Sequence, residues 1–111
     1  MEIEQVRASI RRELQAAETA RAIGNHGKAR VCARRAAGTA IGYWLARHPE
    51  RVWGTDAMTR LGRVREDTTF PAEVRQAALR LTTKITQQFT APFSSDPLED
   101  CRILTSYFLG L

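Results

Sequence analysis

The sequence predicts an all-α protein, an up-and-down bundle of four long helices plus a short fifth helix, and three observations predict it. Apolar residues recur at spacings of three and four in four separate stretches. Two stretches open with helix-start signals, Pro71 and Asp96-Pro97-Leu98-Glu99. No stretch alternates apolar and polar residues as a half-buried strand does. The 111 residues, 43% hydrophobic and 26% charged, fit one folded domain spanning 1–111.

The first helix runs from Glu2 to about Ile23, with Ile3, Val6, Ile10, Leu14 and Ala17 as its apolar stripe. Opposite charges such as Glu4 and Arg7 support its solvated side. Gly24-Asn25-His26-Gly27 stops it, because glycine and asparagine tolerate the left-handed conformation of a helix C-cap. The second helix, from about Lys28 to Arg47, is apolar on two sides. Ala29, Ala33, Ala36, Ala40 and Trp44 form one face, and Val31, Gly38, Gly42 and Leu45 the other. Such a helix is sandwiched between neighbours. A glycine in a helix interior costs about 1 kcal/mol against alanine, so Gly38 and Gly42 imply that another backbone comes close. His48-Pro49 ends the helix, since a residue before proline avoids the α region.

Trp53-Gly54-Thr55 is a connector, and Asp56 to about Glu66 is a short helix carrying Met58, Leu61 and Val64. Pro71 opens the next helix, whose stripe is Val74, Ala78, Leu81, Ile85 and Phe89. After a loop at Ala91-Pro92-Phe93-Ser94-Ser95, the last helix carries Leu98, Cys101, Leu104, Phe108 and Leu109. Short connectors between long helices favour antiparallel neighbours.

The net charge is +5, and all of the excess lies in the first half: residues 1–55 carry ten Lys/Arg against five Asp/Glu, residues 56–111 seven against seven. Fifteen of the seventeen basic residues are Arg. Arginine forks suit phosphate, although a GC-rich genome accounts for heavy Arg and Ala usage with no function attached. No run approaches the ~20 apolar residues of a membrane helix. The acidic start Met1-Glu2-Ile3-Glu4 differs from the basic opening of a signal peptide. Cys32 and Cys101, 69 positions apart and outside any CxxC, read as buried thiols. These features together imply a cytoplasmic protein with no membrane partner.

Ala20-Arg21-Ala22-Ile23-Gly24-Asn25-His26-Gly27-Lys28-Ala29, leading into Cys32-Ala33-Arg34-Arg35-Ala36-Ala37, resembles the first hairpin of the HEPN family, the higher eukaryote and prokaryote nucleotide-binding domains. The likeness continues at Phe70-Pro71-Ala72-Glu73-Val74 and Asp96-Pro97-Leu98-Glu99-Asp100 and covers roughly residues 17–109. It implies a helical bundle that often forms a homodimer, that binds nucleotides, and that accompanies a nucleotidyltransferase partner. One branch of the family cleaves RNA with an Arg-x4–6-His pair on a late helix. In this chain that spacing occurs only between Arg21 and His26, at the first turn, and no histidine follows His48. A tetratricopeptide unit is a rival likeness, but no second unit follows, and a lone repeat cannot bury its face.

The residues alone present no catalytic set. There is no Gly-rich phosphate loop, nucleophile elbow or HExxH, and two isolated histidines with distant cysteines make no metal site. No cofactor is expected. Candidate anion-binding residues are Arg21, His26, Arg30, Arg34 and Arg47, each weighed against the plainer role of a cation at a helix end or on a solvated face. Arg47, His48 and Arg51 pose the same choice between a phosphate pocket and a C-cap cluster. A basic ridge of Arg7, Arg11, Arg12, Arg30, Arg34 and Arg35 is the alternative for RNA, although Tyr43, Trp44 and Trp53 read as core or interface anchors rather than base-stacking platforms. Val31, Gly38, Ile41, Gly42 and Leu45 are the expected dimer interface. The function expected is thus a small non-catalytic HEPN-like module; an RNA-binding protein, or a ribonuclease toxin with a displaced Arg/His pair, is the alternative.

Overall fold

A computed structural model of the chain describes residues 2–83 and 96–110. Five helices follow in order, α1 (Ile3–Ala22), α2 (His26–Ala46), α3 (Ala57–Glu66), α4 (Ala72–Thr82) and α5 (Pro97–Leu109), with no strand among the described residues.

Local chemistry sets their ends. Gly24, at φ +82°, closes α1. Asn25 serves both helices. Its N–H donates to the Ala20 carbonyl at 2.8 Å to finish α1. Its side chain accepts from the Lys28 backbone N–H at 3.1 Å, so α2 opens two residues earlier than the periodicity implies. Asp56 accepts from the Thr59 N–H at 2.9 Å to start α3. Asp96 accepts from the Leu98 N–H at 3.0 Å, with Pro97 in the first turn, to start α5. The helix opened by Pro71 stops at Thr82, and Thr83 is extended. The expected stripe residues Ile85 and Phe89, and the expected loop at 91–95, lie outside the described residues. Only α1 and α2 are long, with 20 and 21 residues; α4 and α5, with 11 and 13, scarcely exceed the 10 of α3.

Contacts between helix ends give the directions. Arg21 near the end of α1 meets Asp96 at the start of α5, and Phe108 meets Trp44 where α5 and α2 both end. Phe70, before α4, reaches Phe108, while Arg80 at its far end reaches Asp100. Hence α1, α2, α4 and α5 alternate in direction, with α3 inserted between the second and third arms. α2 is the hub and packs against α1, α3 and α5; α4 lies between α3 and α5.

The core follows the predicted stripes. Val6, Ile10 and Ala17 of α1, Ala29, Ala33, Ala36 and Ala40 of α2, Leu61 and Val64 of α3, Val74, Ala78 and Leu81 of α4, and Leu98, Cys101, Leu104 and Phe108 of α5 are all buried. Both cysteines are buried free thiols, and burial pushes the Cys101 thiol up to about 12. Glu18 and Arg21 do not pair within α1. They reach across to α5, Glu18 to Arg102 at 3.1 Å and Arg21 to Asp96 at 2.7 Å. Met58, expected on the stripe of α3, stays exposed.

Candidate functional site

Three groups of arginines occupy three regions along α2, and their surroundings decide what each can do. In the N-terminal half, Arg30 is buried. Its Nη2 donates to the carbonyls of Arg80 at 2.7 Å, Leu81 at 3.3 Å and Thr83 at 2.9 Å, and Arg34 Nε donates to that of Leu81 at 2.6 Å. These are the carbonyls that the end of α4 leaves without intrahelical partners. Two guanidiniums from α2 therefore cap α4, and burial lowers the pKa of both. Beneath them Asp100 accepts from Arg80 Nε at 2.8 Å. Its desolvation outweighs the nearby cations and raises its pKa. One nitrogen of each, Arg30 Nη2 and Arg34 Nε, is thus engaged by backbone carbonyls at the end of α4.

Beyond the C-terminal end of α2, the connector folds over an aromatic cluster. Trp44 stacks on His48 with centroids 3.9 Å apart and meets Trp53, Phe70 and Phe108 at 5.4–5.6 Å. The Arg51 guanidinium lies 5.3 Å from the Trp44 ring, 5.5 Å from Trp53 and 5.7 Å from Phe70. It also pairs with Asp67 at 2.7 Å. Hydrogen bonds from the Thr69 hydroxyl and N–H, with Arg51 beside them, lower the Asp67 pKa to about 2. His48 and Arg51 therefore hold the connector and do not join Arg47 in a pocket.

The third group lies between α2 and α3, in a cleft of about 320 Å³ lined by Thr39, Gly42, Tyr43, Ala46, Arg47 and Arg60. Arg60 is held flat on α2: Nε donates to Gly54 O at 3.1 Å and Nη1 to Gly38 O at 3.0 Å. A Cβ on Gly42 would stand 2.5 Å from Nη1, so the missing side chain makes room for the guanidinium. Arg47 caps α2 with its backbone and lies over the Tyr43 ring at 5.5 Å. No carboxylate lines the cleft, and among the described residues neither arginine has an ion-pair partner. A second basic cleft, at Arg12 and Lys28, differs in that nothing among the described residues holds either side chain in place.

The five sequence candidates for anion binding are therefore not brought together. Arg21 pairs with Asp96, and His26 is exposed at the start of α2. Arg47 sits about 30 Å from His26 at the rise of an α-helix. Of the five, only Arg47 lines a basic cleft, and its companion Arg60 was not foreseen. The Gly38/Gly42 pair was the available signal: it announced a close approach but not the helix making it.

That approach comes from the same chain. Gly38 packs on Ala57, Gly42 lies beneath Arg60, and Ile41 is wholly buried. Gly38 and Ile41 consequently offer no surface to a second copy in this fold. Leu45 packs partly against the core, and of the expected interface residues Val31 alone is exposed, at 40%.

Among the described residues no group of three or more His, Cys, Asp or Glu gathers as metal ligands, and no helix is long and apolar enough to cross a membrane. Fold and cleft together define a small all-α protein, with five helices among the described residues and a basic surface cleft. Comparison with protein-family models, curated proteins and solved structures finds no match.

Proposed function

We propose that the chain is a small non-catalytic, HEPN-like helical module that holds the phosphate of a nucleotide-class ligand in the α2–α3 cleft. The observation that carries this reading is Arg60, whose guanidinium is positioned before any ligand arrives by two backbone carbonyls and the gap at Gly42. A donor held in place loses little further freedom on binding. Arg47 supplies a second cation on the same cleft, and Tyr43 an aromatic wall. The volume of 320 Å³ suits one small ligand, at the lower end of the range of about 300–1,000 Å³ for ligand pockets.

Isothermal titration with adenosine 5′-monophosphate tests the reading. Wild type should bind, and Arg47→Ala and Arg60→Lys should each weaken binding about tenfold, the scale of a charged hydrogen bond. A protein that ignores the nucleotide at millimolar concentration sinks the proposal. A salt-sensitive shift of labelled RNA that survives both substitutions favours an RNA-binding protein. RNA cleavage abolished in Arg21→Ala and His26→Ala favours a ribonuclease.

A further inference from the structure

We infer that the cleft selects a terminal, dianionic phosphomonoester over an internal, singly charged phosphodiester; the inference rests on the phosphate-binding reading above and narrows it. Charge is the first ground. Two guanidiniums face the cleft with no carboxylate in its lining. A phosphomonoester carries roughly −1.5 to −2 at neutral pH, with a second pKa of about 6; a diester lacks that second ionisation. These two lining cations, with Asp56 at the start of α3 acting on Arg60 from outside the lining, attract the more highly charged phosphate more strongly.

Geometry is the second ground. Arg60 Nε and Nη1 are tied to Gly54 and Gly38, which leaves Nη2 without a hydrogen-bond partner among the described residues in a side chain that lines the cleft. Arg47 is exposed and packs on Tyr43, with no hydrogen bond or ion pair to its side chain among the described residues. It can swing onto a second phosphate oxygen while Arg60 keeps the first. A monoester offers three terminal oxygens to these two forks and a diester two. A monoester also ends inside a small cleft, whereas a diester chain must enter and leave it.

The titratable groups lining the cleft are Tyr43 and Arg47 from α2 and Arg60 from α3, and no histidine lines it. Asp56 beside Arg60 has its pKa lowered by the Thr59 hydroxyl and N–H, and so is ionised across the range from pH 5 to 7.5. His48, next to Arg47 in sequence, stacks on Trp44 and bonds the Trp44 carbonyl through Nδ1 at 2.8 Å. The steep pH dependence of binding should therefore come from the ligand.

Calorimetry on the full chain tests this with adenosine 5′-monophosphate and its 5′-methyl ester, which differ in phosphate charge. At pH 7.5 the ester should bind at least about tenfold more weakly. The monophosphate should lose about tenfold in affinity between pH 7.5 and 5, as its second ionisation with a pKa of about 6 reverses, while the ester stays flat. Gly42→Ala, which pushes Arg60 off α2, should bring the two ligands to similar affinity with helical circular dichroism unchanged. Equal binding of the ester, a flat profile for the monophosphate, or full selectivity in a folded Gly42→Ala protein overturns the inference and leaves phosphate binding standing. Failure of both ligands to bind overturns the two together.

Discussion

The two ends of α2 use one residue type in opposite ways. Near its start, Arg30 and Arg34 face the end of α4, and their guanidiniums become part of that helix. Near its end, Arg47 faces a cleft, where no backbone carbonyl or carboxylate among the described residues takes up its donors. Arginine has five donors and a long stem, so its role depends on which acceptors come within reach. Arg60 combines the two behaviours: two of its nitrogens serve backbone carbonyls while the side chain lines the cleft.

This contrast is open to direct attack, beginning at the structural end. Arg30→Ala should show the largest effect, a loss of about 3 kcal/mol by urea denaturation, because buried carbonyls left unpaired cost about 1–3 kcal/mol each. The affinity for adenosine 5′-monophosphate, measured on the folded fraction, should not change. A stable Arg30→Ala protein would mean that the α4 cap is ornamental.

Gly38→Ala should follow at about 2 kcal/mol, within the usual range for overpacking. Its Cβ would stand 2.8 Å from that of Ala57 and 3.0 Å from the Ala57 backbone. An unchanged urea midpoint would show that α3 can shift away without penalty.

Asp67 gives a smaller, pH-dependent effect. Its folded pKa of about 2 lies below the ordinary 3.8, so its contribution is present above pH ~4 and disappears as pH falls through 2. The stability difference between wild type and Asp67→Asn should therefore shrink on acidification across that window. A constant difference in acid-titrated denaturation curves would detach Asp67 from the aromatic cluster. Asp100 moves the other way, its pKa raised by burial, so its ionisation disfavours the fold as pH rises through its folded pKa.

Arg47→Ala should be the mildest for the fold, within about 0.5 kcal/mol as at other exposed positions, yet it should weaken nucleotide binding. Loss of stability without loss of binding would reverse the assignments of the two ends.

Element types were legible because helical periodicity and caps are local. The stripe through Val6, Ile10 and Ala17, and the start at Asp96-Pro97, need only neighbours within a few turns. The pair Gly38 and Gly42 was legible as a place of close approach, since each removes a side chain from an otherwise good helix. Its occupant was not, because Val31, Ile41 and Leu45 suit a second copy as well as α3. Similarly, Arg30 and Arg34 have the same sequence appearance as Arg47: basic residues on one helix.

By itself the sequence determined an all-α chain, the stripes that become its core, and the stops that divide it into helices. These depend on spacings of three and four residues and on backbone preferences at Gly24, Asp56, Pro71 and Asp96. Tertiary structure decided which arginines meet backbone carbonyls and which line an open cleft. Arg30 and Thr83 are 53 residues apart, Arg60 and Gly38 22. The hydrogen bonds that separate a cap from a site form only when packing has brought such distant carbonyls within 3 Å or so of a guanidinium, a distance no local pattern encodes.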